Sequence, residues 1–402
     1  MGKVFYIGNF DFPKGNAPGI RVLNNGYLLR NLGYQVHYIG LSSSVTSQNL
    51  SELNFQSYDG FSYARFQYPK ALTDWIFFGN KLSLIKKVLL EERPVFIIMY
   101  GSLSNSLFFL LLVGWCRKND IIVFSDCVDW LHLASGSLFF RIFKNTDTFL
   151  QKRVFNRLAD GIIAVSSHLA SFYQNLGINT VVIPPLNSSK TPQRELLRYS
   201  DSKRTPVSLF YAGYPFSSNA HTSSPELFKD RLDLTIDYLV VLNDLCFVFN
   251  IYGISKEDYL KVVPRHCAIL TMLEGKVYFH GKVDNDLVEH ELTKADYIIL
   301  LRNSNRMTNF GFPSKITEAM GFNIPAITTR TSDLECYIKN GENGYFIDID
   351  NESIACQQIR DILENHSLNY TKIYSACLKN NPFHYSKYLN VLSNFLSRAQ
   401  KK

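Results

Sequence analysis

Asn309-Phe310-Gly311-Phe312-Pro313-Ser314-Lys315-Ile316-Thr317-Glu318-Ala319-Met320 reads as a turn delivered straight into a helix. Gly311 and Pro313 shape the turn, and Pro313 or Ser314 opens the helix. The first N–H groups of a helix lack intrahelical partners, so those of Ser314 and Lys315 point at an anion. The Ser314 hydroxyl and the Lys315 ammonium add donors beside them. Glu318 falls one helical turn after Ser314, on the same face, where a carboxylate can accept from both hydroxyls of a ribose. The plain alternative is a capped helix with a solvated Glu318. The apolar run Tyr297–Leu301 precedes this stretch, and Arg302 and Arg306 stand between, placed to neutralise a pyrophosphate or to make a basic loop.

The same pattern of apolar run, turn and helix recurs outward in both directions. Ser208–Tyr211, Cys246–Ile251, Val277–Phe279, Ala326–Thr328 and Gly344–Ile347 read as strands, with helical spacing at Leu232–Leu242 and Ser314–Met320. Toward the N-terminus, Val4–Ile7, Val36–Ile39, Val95–Met99, Ile121–Phe124, Gly161–Val165 and Val181–Ile183 form an earlier set, with Ile20–Leu32 helical and stopped at Gly33. Leu107–Trp115 is too short for a membrane span and reads as a buried helix. Continuous apolar strands separated by helices predict parallel sheets covered on both faces. The fold class is therefore α/β, as two Rossmann-like doubly wound domains. The boundaries read as residues 1–186, a linker 187–206, a second domain 207–380, and a C-terminal helix 381–402 that packs back on the first domain.

Length agrees: 402 residues fit two domains at about 100–200 residues each. Hydrophobic residues are 46% and charged residues 19%, an ordinary globular balance that excludes a disordered chain. Net charge is +7, but no run of Lys and Arg is dense enough for a nucleic-acid arm. Seven cysteines without a C-x-x-C pair support neither a disulfide framework nor a zinc site, and no metal or cofactor is expected. The N-terminal stretch is not a signal peptide, and reduced thiols suit the cytoplasm.

In parallel sheets, ligands bind beyond the carboxyl ends of the strands, so the loops there carry the remaining candidates. Gly213, in Tyr211-Ala212-Gly213-Tyr214-Pro215, permits close backbone approach. Lys229, in Lys229-Asp230-Arg231, opens the Leu232–Leu242 helix, either to grip a diphosphate or as a surface lysine paired with Asp230. Gly19 lies in Asn16-Ala17-Pro18-Gly19-Ile20-Arg21, read as a small-residue loop and not a dinucleotide fingerprint. Asp129, in Ser125-Asp126-Cys127-Val128-Asp129-Trp130, is placed for a general base or for substrate hydroxyls, with Asp126 as a helix cap in the plain alternative. Aromatic and cationic residues mix at Trp75–Phe78 near Lys70 and Lys81, and at Leu138–Lys144. Such stretches suit an anionic membrane surface or a packed core.

Taken in order, these segments resemble the retaining GT-B glycosyltransferases of the family-four type (glycosyl transferases group 1), in the branch that builds bacterial capsular and surface polysaccharides. Tyr211-Ala212-Gly213-x-Pro215, Lys229-Asp230, Gly311-Phe312-Pro313-Ser314-Lys315-x-x-Glu318, Ile324-Pro325-Ala326-Ile327 and Asn343-Gly344-Tyr345 carry the likeness. Asp160–Ser166, Ile183-Pro184-Pro185-Leu186 and Val128-Asp129-Trp130 extend it through the first half. The resemblance implies two domains facing across a cleft, with a nucleotide-sugar donor (UDP- or GDP-sugar) held by the second. It implies diphosphate contacts from Lys229, Ser314 and Lys315, ribose contacts from Glu318, base contacts near Gly281-Lys282-Val283, and Gly19 at the diphosphate or acceptor. It also implies transfer to a saccharide or lipid-linked acceptor by a retaining, front-face mechanism. The expected location is the cytoplasm, with the aromatic-cationic stretches placing the chain at the inner face of the membrane. Asp129, Lys229 and Glu318 are the catalytic candidates; Gly19, Gly213, Arg302, Gly311, Pro313, Ser314 and Lys315 join Lys229 and Glu318 as donor-binding ones. Two departures stand out. Phe310 occupies the place where many members carry the first of two glutamates, and Ser217–Phe228 lengthens the loop before Lys229. The first motivates a second reading, a non-catalytic scaffold in a polysaccharide-assembly complex.

Overall fold

The computed structural model describes residues 2–43, 45, 53–68, 80–101, 106–129, 142, 145–146, 148–188, 206–216 and 228–399. Most of the linker, the body of the Ser217–Phe228 loop, Trp130, the Trp75–Phe78 patch and most of Leu138–Lys144 lie outside the described residues. The chain divides into two compact units. The first comprises Met1–Ser188, Phe310–Phe312 and His384–Lys402; the second comprises Ser189–Asn309 and Pro313–Phe383.

In the first unit the described strands are β1 (Gly2–Gly8), β2 (Tyr34–Ser42), β3 (Gln56–Tyr58), β4 (Phe61–Gln67), β5 (Phe96–Tyr100), β6 (Ile122–Cys127), β7 (Gly161–Ala164) and β8 (Thr180–Val182). They form one sheet in the order β3-β4-β2-β1-β5-β6-β7-β8, parallel except at the β3–β4 hairpin. The hairpin is missing from the strand set read above. Its turn is Asp59-Gly60, both with positive φ (47° and 76°), the geometry that Asp-Gly pairs favour in two-residue hairpins.

Alternation along the strands explains the layering. Val4, Tyr6, Tyr38 and Phe96 pack on one face with Leu392, Phe395 and Leu396 of the C-terminal helix Leu389–Ala399. Phe5, Ile7, Ile39 and Ile97 pack on the other with Ile85, Leu89, Phe109 and Leu112. The helix Ser106–Lys118 buries Phe109, Leu112 and Val113, but Leu111 is half exposed, so this apolar stretch covers the sheet from outside and is not enclosed.

The second unit has β9 (Val207–Ala212), β10 (Phe247–Tyr252), β11 (Val277–Phe279), β12 (Tyr297–Leu300), β13 (Ala326–Thr328) and β14 (Gly344–Phe346). Their order is β11-β10-β9-β12-β13-β14, all parallel, the doubly wound arrangement whose direction reverses between β9 and β12. In the first unit the reversal falls between β1 and β5. Strand ends at these two reversals open onto space that no crossover connection covers, which is why ligands sit there.

Candidate functional site

At the reversal of the second unit, Gly213 directly follows β9. Its φ of 151° and its N–H bond to the Tyr252 carbonyl (2.9 Å) show a glycine used by the fold. A Cβ on the neighbouring Gly253 would stand 2.7 Å from the Gly213 oxygen, so the two turns pack backbone to backbone. Asp230 is buried here. It accepts from the Tyr211 hydroxyl (2.9 Å) and from Arg302 Nε (2.7 Å). Burial first, then the Asp230 charge, pushes the Tyr211 phenol well above its ordinary pKa.

This cluster changes two readings. Arg302 is buried against Asp230, so its charge is matched inside the fold and is not offered as a free cation for a pyrophosphate. Asp230 pairs with Arg302, and Lys229 stays exposed, its backbone N–H bonded to the Pro215 carbonyl. Arg306 is exposed at the start of the short helix Arg306–Phe310.

Pro313 caps the helix Ser314–Gly321 with non-helical φ and ψ (−78°, 85°) and no side-chain cap bond. Ile316 is the first residue whose N–H turns back into the helix, to the Pro313 carbonyl. That leaves the N–H groups of Ser314 and Lys315 at the positive end of the helix, beside half-buried side chains. Lys315 Nζ lies 2.9 Å from Glu318 Oε2, so cation and carboxylate form one pair along a single face, with Glu318 Oε1 left for another donor. Ile316, Thr317, Ala319 and Met320 are buried and hold that face outward. Gly311 is buried within Phe310–Phe312, which packs with the first unit: the Ser166 hydroxyl donates to the Phe310 carbonyl (2.8 Å).

In the first unit, Asn16 is a helix cap. Its side chain accepts from the Gly19 N–H (2.9 Å), and Ala17–Asn31 is helical from there. The small-residue loop is therefore the first helical turn. A Cβ on Gly19 would collide with the Asp11 carbonyl, so the absence of a side chain here serves the chain's own packing, and the Gly19 amide is taken by Asn16. Asp126, at the end of β6, caps no helix. It is fully buried and takes Arg21 Nη2 at 2.7 Å and Nε at 3.1 Å, together with the Tyr6 hydroxyl. Arg21 also donates to the Ile183 carbonyl, tying the helix Ala17–Asn31 to β6 and the end of β8. Burial works against the Arg21 charge, but Asp126 outweighs it and the net pKa is raised. Burial, then Asp126, raises the Tyr6 phenol well above its usual value. Sequence reading passed over this cluster, although a carboxylate inside the apolar run Ile122–Cys127 was its visible signal.

Above that cluster lies a cavity of about 180 Å³, lined by Asn9, Tyr100, Gly101, Asp126, Asp129 and Gln151 among others. It sits where β1, β5 and β6 end, at the reversal of strand order. Asp129 is exposed at its edge. Cys127 also lines it, but burial pushes the thiol up to about 12, which removes it as a nucleophile near neutral pH. No group of three or more metal-ligating side chains occurs among the described residues.

Residues 247–377, which include β10 through the Ser314–Gly321 helix and beyond, match the family described as Glycosyl transferases group 1. The whole chain superposes on sucrose-phosphate synthase from Thermosynechococcus elongatus with a TM-score of 0.69, covering 99% of each chain at 12% identity. The fold is GT-B. A second GT-B structure, Anabaena HepE in complex with UDP-glucose, matches with a TM-score of 0.62 at 13% identity, over 99% of this chain and 100% of that one. TarM of S. aureus, as a G117R variant in complex with fondaparinux, alpha-GlcNAc-glycerol and UDP, matches with a TM-score of 0.62 at 12% identity over 98% and 99%. In sequence, a stretch of 111 residues is 29% identical to N-acetyl-alpha-D-glucosaminyl L-malate synthase of Bacillus anthracis. That stretch spans 26% of this chain and 27% of the relative.

Proposed function

We propose that this chain is a glycosyltransferase that moves a sugar from a nucleotide-sugar donor to a saccharide or lipid-linked saccharide acceptor, with retention, in surface-polysaccharide assembly. One observation carries the reading: the group 1 glycosyltransferase match encloses a helix whose open N-terminus and Lys315–Glu318 pair suit a nucleoside diphosphate. In this reading the Ser314 and Lys315 amides take phosphate oxygens, and Lys315 adds charge. Glu318 takes ribose hydroxyls. Lys229, exposed and unconstrained by Asp230, reaches the diphosphate from the turn that precedes the Leu232–Val241 helix. Asp129 stands at the acceptor's side of the reaction, and UDP is the favoured donor nucleotide because HepE and TarM are complexed with it.

The test is calorimetric titration of the purified chain with UDP and GDP, followed by product analysis with the matching sugar nucleotide. Millimolar UDP or GDP without heat or thermal shift would overturn the donor assignment. Nucleotide binding without hydrolysis or transfer would favour the scaffold reading that Phe310 motivates. Proton NMR of the product anomer checks retention. The proposed site of action is the cytoplasmic face of the membrane; Ile142 and Phe149, each 59% exposed, lie in and beside one aromatic-cationic stretch. Flotation with anionic but not neutral liposomes is the expected result.

A further inference from the structure

We infer that Asp230 and Phe228 are positioning residues that set Lys229 for the donor's diphosphate. This rests on the transferase reading and deepens it by naming what holds the cation in place.

Lys229 stands exposed between two buried neighbours, Phe228 at 4% and Asp230 at 6% exposure. Its ammonium is not tied to Asp230, but its backbone is fixed from both sides. The N–H groups of Lys229 and Asp230 both donate to the Pro215 carbonyl, at 2.9 and 3.1 Å. The N–H of Arg231 donates to the Leu301 carbonyl at 2.7 Å. Phe216 and Phe228 pair across an antiparallel bridge with their ring centroids 4.8 Å apart. Phe216 stacks in turn on the buried Tyr259, at 5.9 Å. The bridge joins the two ends of the loop that is lengthened before Lys229, so the stem places this lysine whatever the loop's length.

The Asp230 side chain supplies the second anchor. It accepts from Arg302 Nε (2.7 Å), just beyond β12, and from the Tyr211 hydroxyl (2.9 Å), on β9. Arg302 is itself fixed by Thr329: its N–H donates to Thr329 Oγ1 (3.0 Å), and that hydroxyl donates to the Arg302 carbonyl (2.8 Å). A buried ion pair loses in desolvation much of what it gains by attraction, so stability is a weak reason for this one. Geometry is the better reason. The pair fastens the residue beside Lys229 to β9 and β12, the two strands between which the order reverses. A long lysine gives up rotamer freedom when it grips a ligand, and a fixed backbone confines that loss to the side chain.

The experiment is calorimetric titration of the full chain with UDP and GDP. It compares the parent, Lys229→Ala, Asp230→Asn and Phe228→Leu, and each of the last two combined with Lys229→Ala. Lys229→Ala should weaken the nucleotide about tenfold, the loss of one charge-assisted contact. Asp230→Asn should weaken it at least about fivefold and Phe228→Leu at least about threefold. In the Lys229→Ala background each should cost less than about twofold, because the residue they act through is gone. Phe228→Leu keeps an apolar side chain and leaves Arg302 paired, so it reports even where Asp230→Asn fails to fold. A merely structural role would weaken the nucleotide equally with and without Lys229, and that result overturns the inference. So does full affinity in Lys229→Ala, or in both positioning variants. A parent that binds neither UDP nor GDP refutes the donor assignment and takes the inference with it. A parent that binds one of them, with additive losses in the doubles, refutes the positioning role alone.

Discussion

At the scale of single residues, the chain sets two kinds of charged pair against each other. Lys315 and Glu318 are partly exposed, and such pairs contribute about 0–1 kcal/mol to stability. Their value lies in the ligand they present. Glu318→Ala should weaken UDP about 10–100-fold, the loss of charge-assisted hydrogen bonds, with little change in the urea midpoint. Because the two side chains touch, Lys315→Ala combined with Glu318→Ala should lose less than the product of the single effects; a full product in calorimetry would show that they act independently. Arg21 and Asp126 are the opposite case, buried at 6% and 0% exposure. Asp126→Asn should cost about 3–5 kcal/mol in urea unfolding by stranding the Arg21 charge, whereas Arg21→Met with Asp126→Leu should cost less than that single change.

At the scale of elements, the Leu232–Val241 helix is clamped to the His266–Met272 helix through Asp237. Arg265 meets Asp237 at 2.7 and 2.8 Å, and His266 Nε2 lies 3.0 Å from it. Burial alone would raise the Asp237 pKa, but the bonds from His266 and Arg265 outweigh it and the folded value is lowered. A depressed carboxylate stabilises the fold above its unfolded pKa, near about 3.9, and loses that contribution as pH falls through the folded value. Urea midpoints measured downward from pH 6 should therefore fall below about pH 4, and Asp237→Asn should flatten this acid limb while lowering the plateau. An unchanged acid limb in that variant would remove Asp237 from the account.

At the scale of the whole molecule, each unit has its own sheet and its own apolar core. Calorimetry should resolve two unfolding transitions, of which UDP raises one, by about 2.7 kcal/mol at a hundredfold excess over its Kd. One transition moving as a whole would show that the cores melt together. Much of this architecture was legible in the chain: all six strands of the second unit, the Ser314 helix start and the two-domain division are local patterns of apolar runs, caps and turns. The Asp59-Gly60 hairpin was legible too, from turn chemistry alone, and was passed over. Pairings between distant residues were not. Asp126 looked like a cap until Arg21 stood against it, 105 residues away in sequence, and Arg302 looked like a free cation until Asp230 took it. By itself, then, the sequence determined the α/β class, the strand order's ingredients and the anion-suited helix, because those follow from short-range periodicity and backbone chemistry. Tertiary structure alone decided which charges are spent inside and which glycines serve packing. A buried polar group's meaning depends on what the fold brings within three ångströms of it.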